Sequence, residues 1–389
     1  MRIALLTDGI SPYVTGGMQR HSYHLARHFL KLGVELTLIH CVGHDDDIPD
    51  EAEVASLLEA PDGMLRVLGF QFPKAGALPG HYLRESYRYS CQVYESLQTE
   101  WRNFDFIYSK GYTAWCLLEH KQKGQHMAPV GVKFHGYEMF QKSGDIKVKL
   151  IQFMLRPPVV FMNREASVVF SYGGEITSII EKMGVEPERI VNIPSGIDDE
   201  WIVQAPKQEN GKRRFLFIGR NERRKGIDEL LRCRGIISES GSEFHWVGPI
   251  PEQKQLDSES CIYHGEIRDS KKLRDIIDHC HVLVTPSHSE GMPNVILEGM
   301  ARGLAVIATR VGAVPALVDE ENGYLIEPLK QSELKSALRE MNRISETELT
   351  AMREASIARV KEGFRWSAVA EETLRAIEKT THNISKVRE

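Results

Sequence analysis

The sequence predicts an α/β protein of two doubly wound domains, each a parallel sheet covered by helices. Three observations carry this. Short apolar runs alternate with segments whose apolar residues recur at helical spacing. The rhythm breaks once, over residues 194–214, and then restarts. The length of 389 residues exceeds one ordinary core and fits two domains of roughly 150–200 residues each.

Residues 3–7 read as a first strand, closed by Asp8-Gly9. Residues 17–31 form a helix, with Met18, Leu25, Ala26 and Phe29 along one face. Residues 34–41 make the second strand, ending in the acidic loop 44–50. Further strands are expected at 65–70, 104–108, 130–135, 167–170 and 190–193, with helices between most of them. Pro194-Ser195-Gly196-Ile197-Asp198 and the polar run 204–214 mark the domain boundary. The second half predicts strands at 215–219, 244–247, 261–263, 281–285 and 305–309. Its helices are expected at 226–233, 270–279 and 293–302, and the chain is mostly helical from Ser332 onward. The domains are placed at 1–197 and 198–371, with a terminal helix, 372–389, joining the first. Ligands of such folds lie beyond the carboxyl ends of strands, here in a cleft between the domains.

Composition narrows the function classes. Hydrophobic residues at 42% and charged residues at 26% describe a folded soluble protein and exclude a disordered chain. The net charge of −5, with scattered Lys and Arg, lacks the electrostatic footprint of a nucleic-acid binder. Six cysteines at irregular spacing, without C-x-x-C, read as free thiols in a reducing compartment. The first apolar run is too short for a signal peptide, and no apolar stretch reaches the roughly 18 residues that would span a bilayer. The expected location is cytoplasmic, with contact at the inner face of a membrane left open.

Three segments could carry chemistry. Gly16-Gly17 stands just before a helix, where backbone N–H groups and the dipole favour a phosphate, although a Gly pair also serves a plain tight turn. Arg220 and Lys225 flank a strand-to-helix loop. Arg offers a planar fork for phosphate oxygens and Lys a mobile charge, but with Arg223 and Arg224 beside them a solvated basic loop is the plainer reading. The sharpest segment is residues 287–298, S-H-S-E-G-M-P-N-V-I-L-E. Pro293 fits a first helical position, which leaves the amides of Gly291, Met292 and Asn294 at a helix start. Glu290 lies in the loop and Glu298 inside the helix, where a carboxylate is usually solvated or pairs with an Arg such as Arg302; its functional alternative is accepting hydrogen bonds from sugar or ribose hydroxyls.

Together these segments resemble retaining glycosyltransferases of family 4, glycosyl transferases group 1. The carrying motifs are G-R-N-E-R-R-K-G (219–226), E-G-M-P-N-V-I-L-E (290–298) and A-x-G-x-x-V-I-A-T (301–309). I-P-S-G-I-D (193–198), N-G-Y-L-I (322–326) and Phe364-x-Trp366 support them, and the resemblance spans nearly the whole chain. It implies the GT-B fold, two Rossmann-like domains facing across a cleft. It also implies transfer of a sugar from a nucleoside diphosphate-sugar, with a lean toward UDP-hexose or UDP-N-acetylhexosamine, to a glycan or lipid-linked acceptor. By position, Arg220 and Lys225 would hold the diphosphate, Glu298 the ribose, and Glu290 the donor sugar. The turn of Gly291, Met292, Pro293 and Asn294 would meet phosphate or sugar, with the N–H groups of Gly291, Met292 and Asn294 as donors, since Pro293 has none. Gly16 and Gly17 would approach the diphosphate, and His135 would stand beside the donor sugar. Glu266 and Ile267 would lie by the base. No metal and no other cofactor is expected. Ser195, Gly299 and Ala305 depart from the commoner Asn, Ala and Pro, which unsettles donor preference more than reaction class.

Other features have plainer readings. His21, His24 and His28 lack accompanying ligands for a metal, and Asp45-Asp46-Asp47 reads as a solvated loop. His279-Cys280-His281 reads as packing. Residues 147–162, apolar and basic, could seat on a membrane, but Pro157-Pro158 break the segment and an ordinary buried helix is expected. Rival functions are a sugar-nucleotide epimerase of the same fold and a two-lobed binding protein. A nicotinamide dehydrogenase is disfavoured, because no G-x-G-x-x-G follows the first strand.

Overall fold

The computed structural model describes residues 1–76, 80–141, 146–208, 211–233, 235–236 and 241–388. The chain forms two compact units, Met1–Ser195 with Trp366–Glu389, and Gly196–Arg365.

The first unit holds a parallel sheet of β1 (Arg2–Leu6), β2 (Glu35–Val42), β3 (Leu65–Gln71), β4 (Phe106–Lys110), β5 (Val130–Lys133), β6 (Val168–Ser171) and β7 (Ile190–Asn192). Their order is β3-β2-β1-β4-β5-β6-β7. Every residue of β4 is buried, as a strand covered on both faces requires, and this explains its apolar start, Phe106-Ile107-Tyr108. The helices are α1 (Gly17–Lys31), α2 (Glu51–Leu58), α3 (His81–Ser96), α4 (Trp115–Gln122), α5 (Ile146–Glu165) and α6 (Glu175–Lys182). Leu25, Phe29 and Leu30 of α1 pack on Ile3, Leu5, Leu36 and Leu38 of the sheet.

The second unit repeats the scheme with β8 (Arg214–Ile218), β9 (Glu243–Val247), β10 (Cys261–Gly265), β11 (Val282–Thr285), β12 (Ala305–Thr309) and β13 (Gly323–Ile326). The order is β10-β9-β8-β11-β12-β13, again parallel. Its helices are α7 (Ile227–Leu231), α8 (Ser270–Asp278), α9 (Asn294–Ala301), α10 (Gln331–Arg343) and α11 (Glu346–Gly363). The capping box Ser345/Glu348 starts α11. The last helix, α12 (Trp366–Arg388), belongs to the first unit, where Trp366, Val369, Ala370 and Ile377 join the core.

Four expectations change. The strand expected at 104–108 runs from Phe106 to Lys110, because Asp105 instead accepts the backbone N–H of Arg2 at 2.7 Å. Residues 323–326, read only as a motif, form β13 at a sheet edge; four residues are too few to show a period. Pro293 is the N-cap of α9 and not its first residue: its ψ of 116° is extended. Finally, Pro157-Pro158 do not break α5, which runs through both. The bonds they cannot donate would go to the carbonyls of Phe153 and Met154, four residues back. All six cysteines are free.

Candidate active site

In each sheet the strand order reverses once, and the loops leaving the two strands at that point diverge to open a crevice. In the second unit the reversal lies between β8 and β11, and their loops carry the 219–226 and 287–298 motifs. Gly226 opens α7 with φ of +73°, and a Cβ there would lie 2.1 Å from the Pro286 carbonyl oxygen. Only glycine permits the two loops to meet so closely. On the other side Gly312, at φ of +56°, would place a Cβ 2.2 Å from the Glu290 carbonyl oxygen. The backbone around Glu290 is thus held from two directions.

The side chains follow from that scaffold. Lys225 donates from Nζ to Glu290 Oε1 at 2.6 Å, and Arg224 lies 3.6 Å from the other carboxylate oxygen. Glu290 is 7% exposed. Arg220 extends into solvent and pairs with Glu222 at 2.9 Å. Glu298 is buried in α9, and Arg302, the partner suggested for it, instead clasps Asp278 at 2.7 and 2.5 Å. Gly291, Met292 and Pro293 are buried and Asn294 is half-buried at the start of α9. Ile267 is half-buried in the loop after β10, while Glu266 is exposed and pairs with Arg268.

Arg223 is not an idle neighbour. It grips both oxygens of the buried Glu229 at 2.7 Å each, and His288 Nε2 lies 3.1 Å from the same carboxylate. Burial alone would raise the Glu229 carboxyl, but the Arg223 bonds and His288 outweigh it and hold the group below its ordinary value. This cluster ties α7 and the loop after β8 to the loop after β11. The sequence shows only an Arg-rich run, because Glu229 sits six residues along in an ordinary helix pattern.

In the first unit the reversal falls between β1 and β4. Gly16 caps α1 with an extended backbone, and Gly17 is its first residue. Lys110, at the end of β4, is fully buried and donates to the Met18 carbonyl at 2.8 Å and to Ser22 Oγ at 2.9 Å, fixing the first turn of α1. Asp8 accepts from Gln19 Nε2 at 3.2 Å. Burial, opposed by Lys110, pushes its carboxyl up to about 6. Lys133 ends β5 equally buried, donating to the Ile193 carbonyl at 2.7 Å and lying 4.1 Å over the Tyr172 ring. Burial brings its ammonium down to about 7 against the pull of Glu372.

His135 Nδ1 and the Tyr172 hydroxyl share a hydrogen bond of 2.7 Å. Burial first, then the positive charges of Lys110, Lys133 and Arg20, push the imidazole down to about 3, so it is neutral near pH 7. His21 packs edge-on against the rings of His135, Tyr172 and Trp366, and His24 stacks on Trp366. Sequence reasoning missed Asp8, Lys110 and Lys133 as a set. The available signal was a lysine closing each of two apolar strands, F-I-Y-S-K and V-G-V-K.

Among the described residues no helix is long and apolar enough to cross a membrane. The family model for Glycosyltransferase Family 4 matches residues 15–201, and that for Glycosyl transferases group 1 matches 212–343. A Bacillus subtilis (strain 168) glycosyltransferase named for teichuronic acid biosynthesis is 32% identical over 127 residues, covering 33% of this chain and 32% of that protein. Such matches span from about a third to about half of the curated relatives' own lengths. Sucrose-phosphate synthase from Thermosynechococcus elongatus is similar in structure, with a TM-score of 0.76 at 17% identity over 97% of this chain and 98% of that one. An Anabaena protein, HepE, solved in complex with UDP-glucose, has a TM-score of 0.65 at 17% identity, covering 97% and 100%. With a matching family model over each half and two parallel sheets of Rossmann-like order, this chain belongs to the family 4, group 1 glycosyltransferases of GT-B fold.

Proposed function

We propose that this chain transfers a sugar from a nucleoside diphosphate-sugar to an acceptor hydroxyl, keeping the anomeric configuration. The observation that carries the reading is the meeting of Lys225 and Glu290 at 2.6 Å where β8 and β11 diverge. A cation and a carboxylate side by side suit the two halves of such a donor: the diphosphate, and the hydroxyls of its sugar. Donor binding would move Lys225 from Glu290 onto the diphosphate and free Glu290 for the sugar. Arg220, exposed and paired with the neighbouring Glu222 within its own loop, has the reach to swing onto the phosphates. Glu298 would accept from the ribose hydroxyls.

As the glycosidic bond breaks, negative charge grows on the departing phosphate. Cations and the N-terminal amides of α9 aimed there stabilise the transition state more than the ground state. With retention, the acceptor attacks from the face that the diphosphate leaves, and no nucleophilic side chain is assigned. Neutral His135 suits a hydrogen bond to a sugar hydroxyl.

A uridine diphosphate donor is supported by the UDP-glucose complex of the structurally similar HepE, and a glycan or lipid-linked glycan acceptor by the relative named for teichuronic acid biosynthesis. Metal ions and nucleic acid have no part in this reading, and a cytoplasmic site of action fits the donor. A thermal-shift panel of nucleotide sugars tests it. A true donor at 100 times its Kd adds about 2.7 kcal/mol of stability. No shift with any nucleoside diphosphate-sugar would overturn the proposal.

A further inference from the structure

His135 and Tyr172 stand side by side because the sheet sets them there. β5 and β6 run parallel with Val132 opposite Val169, and the same register carried past their carboxyl ends brings His135 level with Tyr172. Ligands of such sheets lie at that end. The two rings meet edge to face at 5.6 Å, and the Tyr172 oxygen is 2.7 Å from His135 Nδ1. Tyr172 is buried, whereas His135 is half-buried.

The surroundings decide which atom owns the shared hydrogen. Burial pushes the Tyr172 phenol well above its ordinary range, so it keeps its hydrogen near pH 7, where the imidazole is neutral. One ring nitrogen therefore carries a hydrogen and the other a lone pair. Among the described residues the phenol has one hydrogen-bond partner, His135 Nδ1. With the hydrogen on Nδ1, the imidazole would donate to the phenol and strand the phenol's own hydrogen in the interior without an acceptor. The reverse arrangement avoids that cost. Lys133 favours the same outcome. Its ammonium lies 4.1 Å over the Tyr172 ring, and a positive charge there makes the hydroxyl a better donor and a poorer acceptor. His21 does not compete: it packs edge-on against His135 at 6.0 Å, and neither of its own nitrogens has a partner.

We infer that Tyr172 is a positioning residue whose hydroxyl donates to His135 Nδ1, fixes the angle of the ring and keeps the imidazole hydrogen on Nε2. That second nitrogen is then a donor and never an acceptor, so whatever it meets must offer a lone pair. For a donor sugar this means a hydroxyl oxygen, held by a ring that cannot turn. The sugar contact rests on the transfer reaction proposed above; the tautomer does not.

Two measurements test the inference. In protein carrying isotope-labelled histidine, the His135 nitrogen signals are assigned by their loss in His135→Ala. At pH 7 they should show Nδ1 at a pyridine-like position and Nε2 at a pyrrole-like one. Tyr172→Phe, which keeps the ring and its packing, should move the Nδ1 signal further downfield as its hydrogen bond is lost. A hydrogen on Nδ1 in the wild type, or an Nδ1 signal that Tyr172→Phe leaves in place, overturns the inference. With a donor in hand, Tyr172→Phe should lower kcat/KM about two- to tenfold, the worth of one neutral hydrogen bond, and should cost nothing further in a His135→Ala background. Unchanged turnover, or an equal loss in both backgrounds, would show that Tyr172 does not act through His135 and overturn the inference as well. If no nucleotide sugar is turned over, the proposed function fails by itself, and the nitrogen signals still sustain or overturn the role of Tyr172.

Discussion

Replacing Arg223 by Ala should destabilise the second unit although the residue lies in an exposed basic run. Glu229 is 6% exposed in its side chain and takes two bonds of 2.7 Å from Arg223. Breaking a fully buried pair costs about 3–5 kcal/mol. Arg223 is itself 52% exposed, and His288 at 3.1 Å and Arg232 at 3.3 Å remain beside the carboxylate, so the expected loss falls to about 1–2 kcal/mol. At about 2–4 °C per kcal/mol for a unit of this size, Tm should drop by about 2–8 °C. Arg223→Lys should recover part of it, one ammonium replacing a two-pronged grip. The pairing holds the Glu229 carboxyl below its ordinary 4.5. A depressed folded-state value means that the contribution is fully present above that pH and fades as pH falls through the folded value. Urea denaturation of both proteins from pH 7 to pH 3.5 should therefore show a gap that narrows below pH 4.5. No gap at pH 7, or one that stays constant on acidification, would refute the reasoning.

Other outcomes follow from the same geometry. Glu298→Ala should weaken UDP binding by roughly 1.5–3 kcal/mol, the worth of a hydrogen bond to a charged group, as read by calorimetry; an unchanged affinity in a folded variant makes Glu298 structural. Turnover should survive EDTA, and activity restored only by Mn²⁺ or Mg²⁺ would defeat the assignment of Arg220 and Lys225 as the diphosphate's cations. The imidazole of His135, held to about 3, should show no titration by NMR between pH 5 and 8, and a midpoint in that range would contradict its burial among lysines.

Much of this architecture was legible because parallel strands covered on both faces write themselves as apolar runs, and because Gly and Pro punctuate the loops between them. The loops after β8 and β11 were legible for a related reason: their motifs are sequence-local. Where a contact joined residues far apart in the chain, the sequence was silent. Lys110 reaches Met18 and Ser22 of α1, and Lys133 reaches Ile193; each looks like a strand end emerging into water until the helices close over it. Arg223 passed for a bystander because its partner is a Glu in the following helix. The outward apolar face of α5, at Leu150, Ile151 and Phe153, was misread as core, since periodicity gives a stripe without saying which way it turns. Pro157-Pro158 looked like a break because each removes a helical N–H and crowds the carbonyl four residues back, yet α5 runs through both.

Turnover of the Arg220 and Lys225 variants tests the central claim most directly. With a donor identified from the panel, Arg220→Ala and Lys225→Ala should each lower kcat on the order of 10²–10³-fold with a smaller change in KM, because their attraction grows only as the phosphate gains charge. Arg220→Lys should restore only part of the rate. Arg224, 3.6 Å from Glu290, and Arg223, bound to Glu229, are unsuitable as inert comparisons, so exposed Arg375 of α12, paired with Glu371, serves instead. If Arg220→Ala and Lys225→Ala turn over like Arg375→Ala, the loop after β8 is a solvated basic segment and the diphosphate lies elsewhere.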